Sequence, residues 1–149
     1  MDALDDIDRA IAAHLCADGR ISYTDLAKAT GLSTSTVHQR VRRLEERGVV
    51  RGYTARLDTE AVGLPLTAFI AVTPIDPSDP DDLPDRLAPV AAIESCYSVA
   101  GDVNYVLLVR VATPRELESL VAEIRAVGNV TTRTTVVLST SFEGRPVPL

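Results

Sequence analysis

Residues 22–48 read SYTDLAKATGLSTSTVHQRVRRLEERG, and the punctuation of this stretch decides the fold. Ser22 stands where a helix N-cap belongs, with Asp25 three residues on in a variant capping box. Leu26 and Ala27 form an inward face, and Gly31 can end the helix in a left-handed conformation. Ser33 caps the next helix, and Leu32 just before it can staple against Val37. Val37, Val41 and Leu44 recur at i, i+4 and i+7 along one face, and Gly48 supplies the stop. Upstream, Ile7, Ala10, Ile11 and Leu15 make another helical stripe, capped by Asp5 or Asp6 and ended at Gly19. Three short helices, the last two joined by the tight Gly31-Leu32 turn, spell a helix-turn-helix.

After Gly48 the hydrophobic period changes to two. Tyr53, Ala55 and Leu57 alternate with Gly52, Thr54 and Arg56, which predicts a strand, and Asp58 to Pro65 reads as a linker around Gly63. Leu66 to Thr73 predicts a strand, and Asp79-Pro80 opens a short helix carrying Leu83, Leu87 and Val90. Ser95 to Ala100 and Tyr105 to Val111 are further strands. Thr113-Pro114-Arg115-Glu116 is a full capping box with proline at the first helical position. Its helix presents Leu117, Leu120, Val121, Ile124 and Val127 and stops at Gly128; Thr132 to Leu138 is the last strand. The order βαββαβ is that of a ferredoxin-like sandwich. The expected class is α+β, with a helix-turn-helix domain at residues 1–50, a strand and linker at 51–65, and a ferredoxin-like domain at 66–149.

Composition narrows the function. Of 149 residues, 46% are hydrophobic and 24% charged, the balance of a folded globular chain. No apolar run approaches the roughly 18 residues that span a bilayer, and the acidic start lacks the apolar core of a secretory signal, so a cytoplasmic protein is expected. Cys16 and Cys96 lie far apart and form neither a disulfide framework nor a zinc motif; Cys96, in a strand, is expected to be buried and inert. His14 is expected to pack or to be solvated. No HExxH, GxSxG, P-loop or GxGxxG occurs, so neither an enzyme, a metal nor a cofactor is expected.

The net charge of −6 conceals an uneven distribution. Between Ser33 and Arg56 six arginines (40, 42, 43, 47, 51 and 56) face only Glu45 and Glu46, a local excess of four positive charges. That is the electrostatic footprint of a nucleic-acid partner, or else an ordinary solvated helix face. The placement of the arginines favours double-stranded DNA. Thr34, Ser35, His38, Gln39 and Arg42 avoid the Val37/Val41/Leu44 face and can reach base edges. Arg43 and Arg47 fall nearer the C-terminal end and suit phosphates, and the helix start at Ser33 can meet another. A plain helical hairpin with a charged outer face is the alternative.

The stretch from Arg20 to Asp58 resembles the winged-helix-like reader of the Lrp/AsnC (feast/famine) transcriptional regulators. The matching positions include Arg20, Leu26, Ala27, Leu32, Ser33, Val37, Arg40, Val41, Leu44, Gly48, Val50, Gly52, Tyr53 and Leu57. Residues 96–109, CYSVAGDVNYVLLV, followed by a capped helix and TTRTTVVL at 131–138, resemble that family's regulatory domain, most of all in its actinobacterial leucine-responsive branch. The resemblance implies dimers paired through the second domain, higher oligomers of those dimers, and an amino-acid effector bound between dimers. It assigns effector contacts to Gly101, Asp102, Val103, Asn104, Tyr105, Thr132 and Thr134. Chemically, Gly101 lets backbone N–H groups approach a carboxylate, and Asp102 can pair with an ammonium. Asn104 departs from the aspartate many members carry, which favours a neutral amino acid over a basic one. A simple hairpin turn is the other reading of Gly101-Asp102.

Two rivals remain. Haem-pathway decarboxylases resemble this two-domain architecture, but the second half contains no histidine to serve a porphyrin-sized pocket. A ligand-binding module without DNA function would have no use for Gln39 and Arg42.

Overall fold

The computed structural model describes residues 4–78 and 82–148. The chain divides into two units, one running to Arg56 and including the tail from Phe142, the other spanning Leu57–Ser141.

The first unit holds α1 (Asp6–Ala17), α2 (Tyr23–Thr30) and α3 (Thr34–Glu46). Local chemistry sets each boundary. Asp5 caps α1, Ser22 caps α2 and Ser33 caps α3, each side chain accepting from a backbone N–H of the first turn. Gly31 is left-handed at φ 69°, and the Leu32 N–H donates back to the Ala27 carbonyl. Gly48 repeats the device after α3, with the Val49 N–H donating to Leu44. Ile11, Leu26, Ala27, Val37, Val41 and Leu44 form the core, against which Leu32 and Leu15 pack.

Three expectations change here. The inward face of α1 carries Asp8, Ile11 and Ala12, while Ile7 and Ala10 are exposed; the stripe is rotated by one residue because the Asp8 carboxylate is satisfied by two arginines of α3. The helix ends at Asp18 in extended geometry, and Gly19 is not left-handed. Residues 51–58 form no strand. Alternation alone does not make one; a strand needs a ladder partner, and none of the described residues pairs with this segment. Tyr53 instead donates to the Glu45 carboxylate, and partial burial with that contact pushes its phenol up to about 12. Arg56 donates to the Glu143 and Gly144 carbonyls of the tail.

The second unit is an antiparallel four-stranded sheet of order β2-β3-β1-β4, with two helices on one face. Its elements are β1 (Leu66–Pro74), α4 (Leu83–Leu87), β2 (Ile93–Ser98), β3 (Tyr105–Val111), α5 (Pro114–Gly128) and β4 (Val130–Val136). The expected helix start at Asp79-Pro80 lies outside the described residues. Ala68, Ile70 and Val72 of β1 and Tyr105, Leu107, Val109 and Val111 of β3 pack against Leu83, Leu87, Leu117, Leu120 and Ile124 of the helices. Thr113 accepts from the Glu116 N–H, while the Glu116 carboxylate accepts from Ala112. The α5 stop is left-handed Asn129, and Gly128 is the buried last residue of the helix. The expected linker is an ordered turn, in which the Asp58 carboxylate accepts from the Glu60 and Ala61 N–H groups. Cys96 is exposed, not buried, because β2 is an edge strand; partial desolvation still raises its thiol pKa. No helix among the described residues is long and apolar enough to cross a membrane.

Candidate nucleic-acid and effector sites

With Val37, Val41 and Leu44 fully buried, the rotation of α3 about its axis is fixed. At about 100° per residue, Ser35, Gln39 and Arg42 then stand opposite that core, and all three are exposed. Thr34 is exposed in the first turn. The hydroxyl of Ser33 is engaged in its own cap, accepting from the Thr36 N–H at 3.2 Å and lying 3.0 Å from the Ser35 hydroxyl. Ser33 therefore offers a helix start and not a free side chain.

Neighbours brace both flanks of this row. On one side the His38 ring meets Tyr23 of α2 edge-on, with centroids 5.1 Å apart. On the other, Asp8 of α1 takes Arg40 Nη1 at 2.7 Å and Arg43 Nη2 at 2.8 Å, one on each carboxylate oxygen. Arg40 also reaches Asp5 at 2.8 Å, and this hydrogen bond holds the Asp5 carboxyl below the ordinary aspartate range and the Arg40 guanidinium above its own. Arg42 pairs with Glu46 at 2.8 Å across exposed surface, a contact worth at most about 1 kcal/mol and readily exchanged for a base. Arg47 is the exposed C-cap of α3. The basic island is thus less available than its sequence count implied. Arg40 is committed to α1, and Arg43, expected as a plain phosphate contact, is shared with a buried carboxylate. The missed residue is Asp8. A carboxylate at i−3 and i−4 to Ile11 and Ala12, on a core-facing row, requires a buried partner, and that was its signal in the sequence.

The effector residues separate into two groups. The β2–β3 loop closes with the Val99 N–H donating to the Asn104 carbonyl at 3.0 Å, and the Asn104 N–H donates to Val72. Gly101, Asp102 and Asn104 are exposed on this loop, Val103 is half-buried, and Tyr105 belongs to the core. A Cβ on Gly101 would meet nothing within 4 Å, so the chain's own packing does not require glycine there. Thr132 pairs with Val72, which pairs with Tyr105, so two strand spacings, about 10 Å, separate Thr132 from the loop strand. Thr132 accepts from Arg125 Nε at 2.7 Å. Thr134 lines an open groove of about 410 Å³ with Leu117, Glu118, Val121 and Arg125. None of residues 101–105 lines the groove beside Thr134.

Both described helices of the second unit lie on one face of the sheet, so neither covers the opposite face. Phe69 is 42% exposed and Tyr97 53%, beside half-buried Ala71, Val106 and Leu108. The Arg110–Glu94 ion pair lies at one end of this face.

A capped helix-turn-helix reader followed by a ferredoxin-like sandwich defines a transcriptional regulator with a separate ligand-binding domain. The AsnC-type helix-turn-helix domain matches residues 4–45, and the Lrp/AsnC ligand binding domain matches residues 67–147. The chain belongs to the Lrp/AsnC family of transcriptional regulators. It is 57% identical to the HTH-type transcriptional regulator LrpA of Mycobacterium tuberculosis over 97% of this chain and 96% of that one. A feast or famine regulatory protein from M. tuberculosis, solved in complex with L-methionine, superposes with a TM-score of 0.94 at 57% identity, covering 96% of this chain and 97% of that one. A Neisseria meningitidis transcriptional regulator, also solved with L-methionine, superposes at 0.86 with 26% identity over 98% and 97% of the two chains.

Proposed function

We propose that this regulator acts in the cytoplasm, reads double-stranded DNA through α3, and has that binding altered by a free amino acid at its sandwich domain. The outward row of Ser35, Gln39 and Arg42, on a helix fixed by its core and braced on both flanks, is the observation that carries the reading. Gln39 can take adenine and Arg42 guanine by paired hydrogen bonds; Thr34 and Ser35 add smaller contacts, and Arg43 and Arg47 meet phosphates. No chemistry is assigned to the chain itself.

The effector is a neutral amino acid, consistent with the L-methionine held by the two related structures. Asp102 receives its ammonium, backbone N–H groups near Gly101 receive its carboxylate, and Asn104, Thr132 and Thr134 add neutral polar contacts. Because loop and threonines stand apart within one chain, a second copy completes the pocket. Dimers form through the uncovered sheet face around Phe69 and Tyr97, and further assembly of dimers brings loop and threonines together.

Footprinting on the promoter region of its own gene, with and without each of the twenty amino acids, tests the reading. Protection that one or a few amino acids change is expected. Absence of protection under every condition refutes the DNA assignment, and protection unchanged by every amino acid refutes the effector assignment.

A further inference from the structure

Asp8 is 1% exposed, the one buried polar or charged side chain among the described residues, and both of its oxygens are taken by α3. Four charges meet there, Asp5 and Asp8 against Arg40 and Arg43, and they balance. The two arginines are used differently. Arg40 is 23% exposed and engages both carboxylates, so it is a structural tie. Arg43 is 51% exposed and is held by a single nitrogen. Its guanidinium carries five N–H donors in a rigid plane, so anchoring Nη2 fixes the direction of the donors left over. On the helix surface Arg43 follows Gln39 by four residues, which puts it beside the base-reading row.

We propose that Asp8 is a positioning residue for DNA binding: its buried carboxylate holds one edge of Arg43 so that the other edge is aimed at a backbone phosphate. An unheld arginine must give up rotamer freedom when it meets a phosphate, whereas Arg43 has already done so on folding. The buried carboxylate thus serves an anionic ligand it never touches, because orientation outweighs the repulsion of a charge already neutralised by Arg40. The inference rests on α3 being the DNA-reading helix.

A double-mutant cycle on the full-length protein tests it, with Asp8→Asn, Arg43→Ala and the pair. Binding to a short duplex of scrambled sequence is followed by fluorescence anisotropy across a salt series, well below every variant's melting temperature. Scrambled DNA suffices because a phosphate contact is independent of sequence. Arg43→Ala is expected to weaken binding about tenfold and to lower the salt slope by about 0.9. Asp8→Asn should cause most of the same loss and the same change of slope, yet add little in the Arg43→Ala background. A merely structural Asp8 would lower the melting temperature but weaken binding by the same factor in both backgrounds, and that overturns the proposal. Tighter binding by Asp8→Asn, from simple removal of a negative charge, overturns it as well. If Arg43→Ala leaves affinity and slope unchanged, the proposal falls with the phosphate contact itself. If Arg42→Ala and Gln39→Ala are silent on operator DNA too, the reading of α3 as the DNA helix falls separately.

Discussion

Gly128 lies so close to Leu83 that a Cβ built on it would stand 2.9 Å from the Leu83 Cδ1, with the two Val130 methyls at 3.1 and 3.2 Å. Leu83 is 1% exposed within the packed core, so its methyl has little room to retreat. Helix propensity alone would favour alanine over glycine by about 1 kcal/mol, but overpacking a core costs about 1–3 kcal/mol. The steric effect wins. Gly128→Ala should destabilise the sandwich by up to about 2 kcal/mol in urea unfolding, and a higher midpoint would show that the α4–α5 contact yields instead.

On α3, Arg42 and Arg47 should divide the work. Arg42→Ala should relax preference at one or two operator positions at a cost of about 1–3 kcal/mol. Arg47→Ala should weaken all sequences alike and reduce the salt slope by roughly one unit. Equal losses on operator and scrambled duplexes for both variants would exclude this division.

For the effector, the readout is thermal stability. An amino acid present at about a hundredfold excess over its dissociation constant should stabilise the chain by roughly 2.7 kcal/mol. One or a few of the twenty should raise the melting temperature. Asp102→Ala should lose that response while melting normally without ligand, since Asp102 is exposed on its loop. An unaltered response would place the ammonium elsewhere.

The sheet face around Phe69 gives an assembly test. Phe69→Lys should leave the monomer fold intact, because the side chain already meets solvent, yet it should place a cation on the face proposed to pair. Light scattering at micromolar concentration should report a mass shifted toward the single chain. A mass equal to that of the parent would move the interface off this face.

Acid should loosen the α1–α3 tie. Hydrogen bonding to Arg40 lowers the Asp5 carboxyl pKa relative to the unfolded chain, so its stabilising contribution is present above the ordinary aspartate value of about 3.9. It is lost as pH falls through the lower folded value. Asp5→Asn keeps a competent cap for α1 but removes the charge. The melting-temperature gap between parent and variant should therefore be widest near neutrality and close below about pH 4. A gap that persists in acid would trace the difference to capping.

What could be read from the sequence was what the chain decides locally. Ser22, Ser33 and Thr113 cap as expected, and Gly31 and Gly48 turn left-handed where expected, because each involves groups a few residues apart. The β3 limits, Tyr105 to Val111, match the expectation, since alternation on that strand reports a real buried face. The failures are non-local. Asp8 meets Arg40 and Arg43 from 32 and 35 residues away, so neither the rotation of α1 nor the commitment of those arginines is visible in their own neighbourhoods. Tyr53, Ala55 and Leu57 alternate like a strand but have no ladder among the described residues. Thr132 and Thr134 are correctly polar, yet only the sheet register shows how far they stand from the Gly101–Tyr105 loop.

Arg56 grips carbonyls 87 and 88 residues further along the chain. On a ribosome adding about 5–20 residues per second, that hold cannot form until roughly 4–18 seconds after Arg56 itself is made. The core of the three helices is drawn from residues 4 to 50, all of which are made before that hold can form. The segment around Arg56 waits for residues 143 and 144, so a chain terminated before them would carry its three helices without this hold.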